Sequence, residues 1–357
     1  MGQELLLNPL HRQAGATLGT CRDWIVPLHF GNPHEEYQSL RRHAGLIDWS
    51  IQTAIEVRGA DRIAFLHNML TNDIKRLAPS EGCAAALVSP TAKLIAPVKV
   101  LTAEQAVWLL VDRMNINTVL TTLDHYRITE DVTLREKPDA VFTVQGPTSL
   151  AVIEQRLGGS FAPGHLWDHT ELTLEDVPIR VVCATITGER GVMLMVIAEH
   201  AAWLWRTLAQ VAAPVGWEAL NVARIEAGVP WYGVDVDETN VLPETGLEKE
   251  TVSYTKGCYV GQEIMARLQT YGSVSQKLVG LIAEGSIVPQ PQDPVLENGR
   301  TAGRITSACL SFALGKPIAL GYVKRPFYEP GTAVTIAHQA QTIPATVVQL
   351  PFVPLQT

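Results

Sequence analysis

AVFTVQGPTSLAVIEQRL, residues 140–157, reads as a strand, a Gly146-Pro147 turn and then a helix. The same plan occurs upstream. TAIEVRG (53–59) alternates as a strand should, and ADRIAFLHNMLTNDI (60–74) places Ile63, Leu66, Met69 and Leu70 at helical spacing. CAAALVSPTAKLIAPVKVL (83–101) reads as two strands around a Ser-Pro turn, VWLLVD (107–112) as another strand and NINTVLTTLDHYRI (115–128) as a helix. Downstream, IRVVCATITGERGVMLMVIA (179–198) is a pair of apolar runs about a Gly-Glu-Arg-Gly turn, the clearest hairpin signal in the chain, and AAWLWRTLAQV (201–211) reads as a helix. From about Gln276 the pattern changes to short strands punctuated by Gly, Pro and Asn-Gly, such as KLVGLIAEG (277–285), IALGYVKRPF (318–327) and GTAVTIA (331–337). The expected fold class is therefore α+β: two related sheet-plus-helix units, 1–140 and 141–275, followed by an antiparallel β-barrel, 276–357.

Composition agrees with a folded chain. The 357 residues are 46% hydrophobic and 18% charged with a net charge of -8, which excludes disorder and disfavours a broad nucleic-acid surface. No apolar run approaches transmembrane length and the N-terminus lacks a secretory pattern, so a cytoplasmic protein without membrane contact is expected. Cys21, Cys83, Cys183, Cys258 and Cys309 are odd in number and widely spread, with no CxxC pair, which argues against a disulfide framework and against a metal site.

TKGCYVGQE (255–263) carries the most suggestive chemistry. Gly257 and Gly261 permit a sharp turn before a helix starting in GQEIMARL, and a thiol near a helix N-terminus and the Lys256 ammonium would have its thiolate favoured. Free cysteine is also commonly buried and inert, and no histidine is near in sequence to serve as base. Glu263 and Arg267, four apart, can pair along one helix face. Arg224 and Glu226 can pair inside the fold.

KGCYVGQE (256–263), FLHNMLTNDI (65–74), LDHYRITEDVTL (123–134), VQGPTS (144–149) and RIEAGVPWYGVDVDETNVLPET (224–245) together resemble the YgfZ-type folate-binding proteins of the glycine-cleavage aminomethyltransferase superfamily. The resemblance spans about Leu46 to Phe352. It implies three domains around a central site for tetrahydrofolate or its one-carbon derivatives. It further implies a role in iron-sulfur cluster assembly or repair linked to tRNA modification, with iron-sulfur proteins or their assembly factors as partners. On this resemblance Cys258 is the working thiol, and Lys256, Gln262, Glu263, Arg267, Trp217 and Arg224 are the candidate folate-binding residues.

TGERGV (187–192) and RIEAG (224–228) also resemble the aminomethyltransferases themselves, which implies the alternative of one-carbon transfer to tetrahydrofolate. Those enzymes place a carboxylate in the strand matched here by AKLIAPVK (92–99), where this chain has Ala96 and Pro97. Met193 and Leu220 stand where they carry a further acid and an arginine. A tryptophan near Leu220, typical of bacterial YgfZ-type members, is likewise missing, with Trp217 three residues earlier as a substitute, whereas Asp112 fits that pattern. A glutamate tail needs cations at the mouth of its site, for which Lys93, Lys99, Lys256 and Arg267 are candidates.

Overall fold

The structure, a computed structural model, describes residues 2–158, 161, 163–272 and 274–354. A five-stranded antiparallel sheet runs in the order Gly82–Val88, Leu94–Thr102, Val107–Asp112, Gln52–Arg58, Thr133–Lys137. Helices Arg62–Met69 and Ile116–Tyr126 belong to it, and Leu66, Met69, Val119 and Leu123 join Ala96, Val98 and Val100 in one apolar core.

A second sheet of six strands has the order His169–Leu174, Val177–Cys183, Gly191–Ile197, Asp139–Gln145, Gly45–Asp48, Ala213–Pro214. The hairpin expected around Gly-Glu-Arg-Gly is present, with Arg180 opposite Met195 and Cys183 opposite Val192. Helices Ser149–Leu157 and Ala201–Leu208 share a core with this sheet through Ile153, Leu157, Leu204 and Trp205. The two sheets do not follow the expected units 1–140 and 141–275. Gly45–Asp48 lies in the first stretch of chain yet pairs with Asp139–Gln145, Phe142 facing Asp48 and Gln145 facing Gly45. Its four residues are all buried, so it needs partners on both edges, and the second sheet supplies them.

The C-terminal strands close into an antiparallel barrel, Gln276–Ala283, Pro317–Lys324, Arg300–Leu310, Pro294–Glu297, Ala333–His338 and Gln341–Val348 in spatial order. The expected α+β fold ending in a barrel is what the chain forms.

Helix Trp217–Glu226 joins these parts and positions the site. Its Ala219, Leu220, Ala223 and Ile225 are fully buried, and it packs on helix Pro33–Arg42, on the N-terminal hairpin Thr17–Cys21/Trp24–His29, and on barrel strands Arg300–Leu310 and Pro317–Lys324. Gly216 caps it because nothing larger fits: a Cβ there would sit 2.2 Å from the Leu28 carbonyl oxygen. The Gly216 N–H instead donates to Glu36 Oε2 at 2.7 Å, satisfying one of the donors left open at a helix start.

Candidate functional site

Where the N-terminal hairpin, helix Trp217–Glu226, the turn around Trp231–Asp235 and the barrel meet, they enclose a cleft of about 540 Å³. One wall is aromatic. Trp217 stacks on Trp49 at 5.2 Å between centroids with 24° between planes, and lies 5.2 Å from Trp231. Trp217 is 2% exposed, so burial holds it in one orientation.

Arg224 forms the second wall. Its guanidinium lies 4.2 Å from the centroid of the Trp231 ring. It donates to Asp235 Oδ2 at 2.5 Å, Ser307 Oγ at 2.7 Å and Asn221 Oδ1 at 2.9 Å. Asp235 Oδ1 in turn accepts from the hydroxyls of Thr306 and Ser307 at 2.6 and 2.7 Å. A register shift between Ile305 and Ser307 breaks the ladder of the barrel strand there and re-aims adjacent side chains. This network is the finding that corrects the expected Arg224–Glu226 pairing. Glu226 points the other way along the helix, accepting from Arg41 and Tyr37 on one oxygen and from Ser311 and the Ala313 N–H on the other. Residues two apart on a helix face different sides.

The third contribution comes from the hairpin turn. Arg22, with φ of +58°, reaches across the cleft rim to Asp112 Oδ2 at 2.7 Å. Both side chains are nearly buried, at 4% and 8% exposure. Its second terminal nitrogen meets only the Met114 sulfur, and its Nε has no hydrogen-bond partner. Trp217 Nε1 and Trp231 Nε1 are also buried without partners. All three are donors. Cys21 lines the same cleft, and burial pushes its thiol up from the ordinary cysteine range. Glu218, exposed on the first helical turn, lines the rim and makes no hydrogen bond or ion pair among the described residues.

Of the candidate residues named from the resemblance, Trp217 and Arg224 line this cleft, and sequence reasoning did not single out Arg22, Asn221, Trp231, Asp235 or Ser307. The last two belong to the site only through pairing between distant segments. Asp112 was singled out, and its partner was not, because 90 residues separate the two.

The signature loop lies elsewhere, and none of its residues lines the cleft. Cys258 is exposed. Gly261 starts the expected helix, Gln262–Tyr271, with φ of +84° where a Cβ would sit 2.6 Å from the Ser89 carbonyl oxygen. Lys256 does not stand at a ligand mouth: it is 7% exposed, and its ammonium donates to the carbonyls of His67, Leu70 and Asn72. Burial lowers its pKa to about 8. His67, remote in sequence, is brought beside the loop, with Nε2 3.7 Å from where a Cβ on Gly257 would stand. Glu263 and Arg267 do pair, at 2.5 Å, but at 76% and 67% exposure, where such a pair stabilises by only a few tenths of a kcal/mol. Gln262 sits at the start of that helix. Of the other cations considered, Lys93 is exposed and Lys99 lies over the Trp167 ring at 4.6 Å. Ala96, Met193 and Leu220 face apolar cores at 0%, 2% and 0% exposure. Among the described residues no group of three or more His, Cys, Asp or Glu could hold a metal ion, and no helix is long and apolar enough to cross a membrane.

Residues 7–256 match the family described as the GCVT N-terminal domain, and residues 276–354 the glycine cleavage T-protein C-terminal barrel domain. A similar curated protein is the aminomethyltransferase of Rippkaea orientalis, 29% identical over 98% of this chain and 97% of its own length. The mitochondrial aminomethyltransferase of Gallus gallus is 30% identical, covering 98% of this chain and 92% of its own. In three dimensions the glycine cleavage system aminomethyltransferase T from Bartonella henselae superposes with a TM-score of 0.90 over 99% of this chain and 98% of its own, at 23% identity, a likeness of fold. These full-length likenesses correct the expectation of a YgfZ-type protein serving iron-sulfur assembly or tRNA modification through Cys258. Relatives named as aminomethyltransferases match 98% of the chain, while Cys258 does not line the cleft.

Proposed function

Since the chain belongs to the glycine cleavage T-protein family, we propose that it binds tetrahydrofolate in the Trp217–Arg224 cleft and transfers a one-carbon unit of the aminomethyl type onto it. The observation that carries this reading is the donor-only set of unpartnered buried atoms, Arg22 Nε, Trp217 Nε1 and Trp231 Nε1, around an aromatic-walled cleft of about 540 Å³. A heterocycle with ring oxygen and nitrogen acceptors suits the apolar wall and, after a small shift of these side chains uncovers them, the unpaired donors.

Tetrahydrofolate, the family's cofactor, supplies amines that take up a one-carbon unit. The chain's own part is positioning and proton handling. Trp217, held against Trp49, offers a rigid edge, and Arg224, fixed by Asp235, Asn221 and Ser307, offers a cation that needs no reorganisation on binding. With Ala96 and Pro97 at the strand position where the aminomethyltransferases carry an acid, Glu218 is the unpaired carboxylate at the rim that can accept a proton. Overall, the carbon–sulfur and carbon–nitrogen bonds of an aminomethylated lipoyl group would break, two carbon–nitrogen bonds would form to the folate nitrogens, and the two protons those nitrogens give up would leave on the lipoyl thiol and in ammonia.

A second reading, folate binding without transfer, is favoured by Ala96, Met193 and Leu220 all facing apolar cores. One experiment separates the two. Tetrahydrofolate is titrated into the chain, and ammonia and methylenetetrahydrofolate are then measured with an aminomethylated lipoyl protein. Binding with product release is expected, reduced in Glu218→Gln and retained in Cys258→Ala. Binding without product supports the second reading, and no binding removes both.

A further inference from the structure

We infer that Arg22, on the N-terminal hairpin, is a ligand-contacting residue of the cleft that binds an oxygen acceptor of the folate; this rests on the functional reading above. A guanidinium has five N–H donors in a planar fork. Here only one terminal nitrogen meets a carboxylate, that of Asp112 at 2.7 Å. The other meets a thioether sulfur, a weak acceptor, and Nε meets nothing, although the side chain is 4% exposed. Buried donors left open cost stability, and Arg22 in addition adopts a left-handed φ of +58° that side chains with a Cβ resist. An arginine kept in a strained turn, half-satisfied and lining a cleft, fits a group whose remaining donors are completed by a ligand. Trp217 Nε1 and Trp231 Nε1 on the same cleft repeat the deficit, and every open buried group there is a donor. A folate offers the required oxygen acceptors in two parts: the pteroyl part, with the ring carbonyl and the benzoyl oxygen, and the glutamate tail, with its carboxylates.

The test measures affinities of the full chain for tetrahydrofolate and for tetrahydropteroate, which has the same ring system without glutamate. Arg22→Gln is expected to weaken tetrahydrofolate binding by roughly tenfold or more. Asp112→Asn, which cuts the ion pair but keeps the guanidinium and an oxygen to accept from the Met114 N–H, is expected to bind as tightly as wild type or more tightly. A loss for both ligands in Arg22→Gln assigns an oxygen of the pteroyl part, and a loss for tetrahydrofolate alone assigns the glutamate tail. Should Arg22→Gln fail to fold, Arg22→Lys keeps the ion pair without the fork and is expected to show the same loss. Equal losses in Arg22→Gln and Asp112→Asn make Arg22 a hairpin latch and overturn the inference. So does unchanged affinity in Arg22→Gln, while in both cases wild-type binding leaves the functional reading standing. A wild-type chain that binds neither compound overturns that reading and the inference with it.

Discussion

Three carbonyls converge on the Lys256 ammonium, from His67 and Leu70 at the end of helix Arg62–Met69 and from Asn72 beyond it. Lone carbonyls at a helix C-terminus attract a cation, so this lysine ties the signature loop to a segment nearly two hundred residues away. Lys256→Met is expected to lower stability by about 2–3 kcal/mol, because buried carbonyls lose their donors. Denaturant unfolding at neutral pH measures it, while tetrahydrofolate affinity of the folded variant stays that of wild type, since Lys256 is not among the cleft residues. The motif KGCYVGQE was legible as a turn leading into a helix. Where its lysine points was not, because local sequence carries no information about which distant carbonyls lack donors.

At the scale of elements, strand His169–Leu174 is joined to the first sheet through His169. Its Nε2 lies 3.0 Å from the Thr102 carbonyl oxygen and donates to it, leaving Nδ1 to accept from Arg180 at 3.1 Å. Arg180 itself stacks over Trp108 at 3.7 Å. A second proton on His169 would have to sit against that guanidinium inside a buried contact. Burial first, and Arg180 second, therefore lower its pKa from 6.5 to about 4. The unfolded chain takes up this proton as pH falls through 6.5 and the folded chain does not until about 4, so stability is intact above 6.5 and drains away across that window. The loss from this residue is roughly 3 kcal/mol at most. Equilibrium unfolding between pH 7 and 4 is expected to show a shallower decline in His169→Gln, which keeps a donor and an acceptor in place. The apolar runs foretold strand Val107–Asp112 and the turn foretold the hairpin 179–198, while strand His169–Leu174 was not read from the sequence. The sheet-to-sheet contact was not, since it depends on a histidine, an arginine and a tryptophan drawn from three separate strands.

For the molecule as a whole, the fully buried Glu226 is the point at which the parts are joined. It binds Tyr37 and Arg41 of helix Pro33–Arg42 and Ser311 and Ala313 beside the barrel, while Arg41 continues at 2.7 Å to Glu189 in the Gly-Glu-Arg-Gly turn. Glu226→Ala leaves Arg41 half-paired and strips several buried donors at once, and is expected to cost about 3–5 kcal/mol. Chemical denaturation reads the loss as a lower midpoint, and a separate early transition is expected as the barrel comes loose. The sequence by itself determined the α+β class and the closing barrel, because hydrophobic period and turn chemistry are local and one-dimensional, while Trp217 and Arg224 entered as candidates only through the family resemblance. Only the tertiary structure decided that Gly45–Asp48 belongs to the second sheet, that Arg224 takes Asp235 rather than Glu226, that Lys256 is a structural tie, and that Arg22 enters the cleft. Each of these depends on which buried group lacks a partner once the chain has closed on itself, and that is fixed by three-dimensional proximity, not by spacing along the chain.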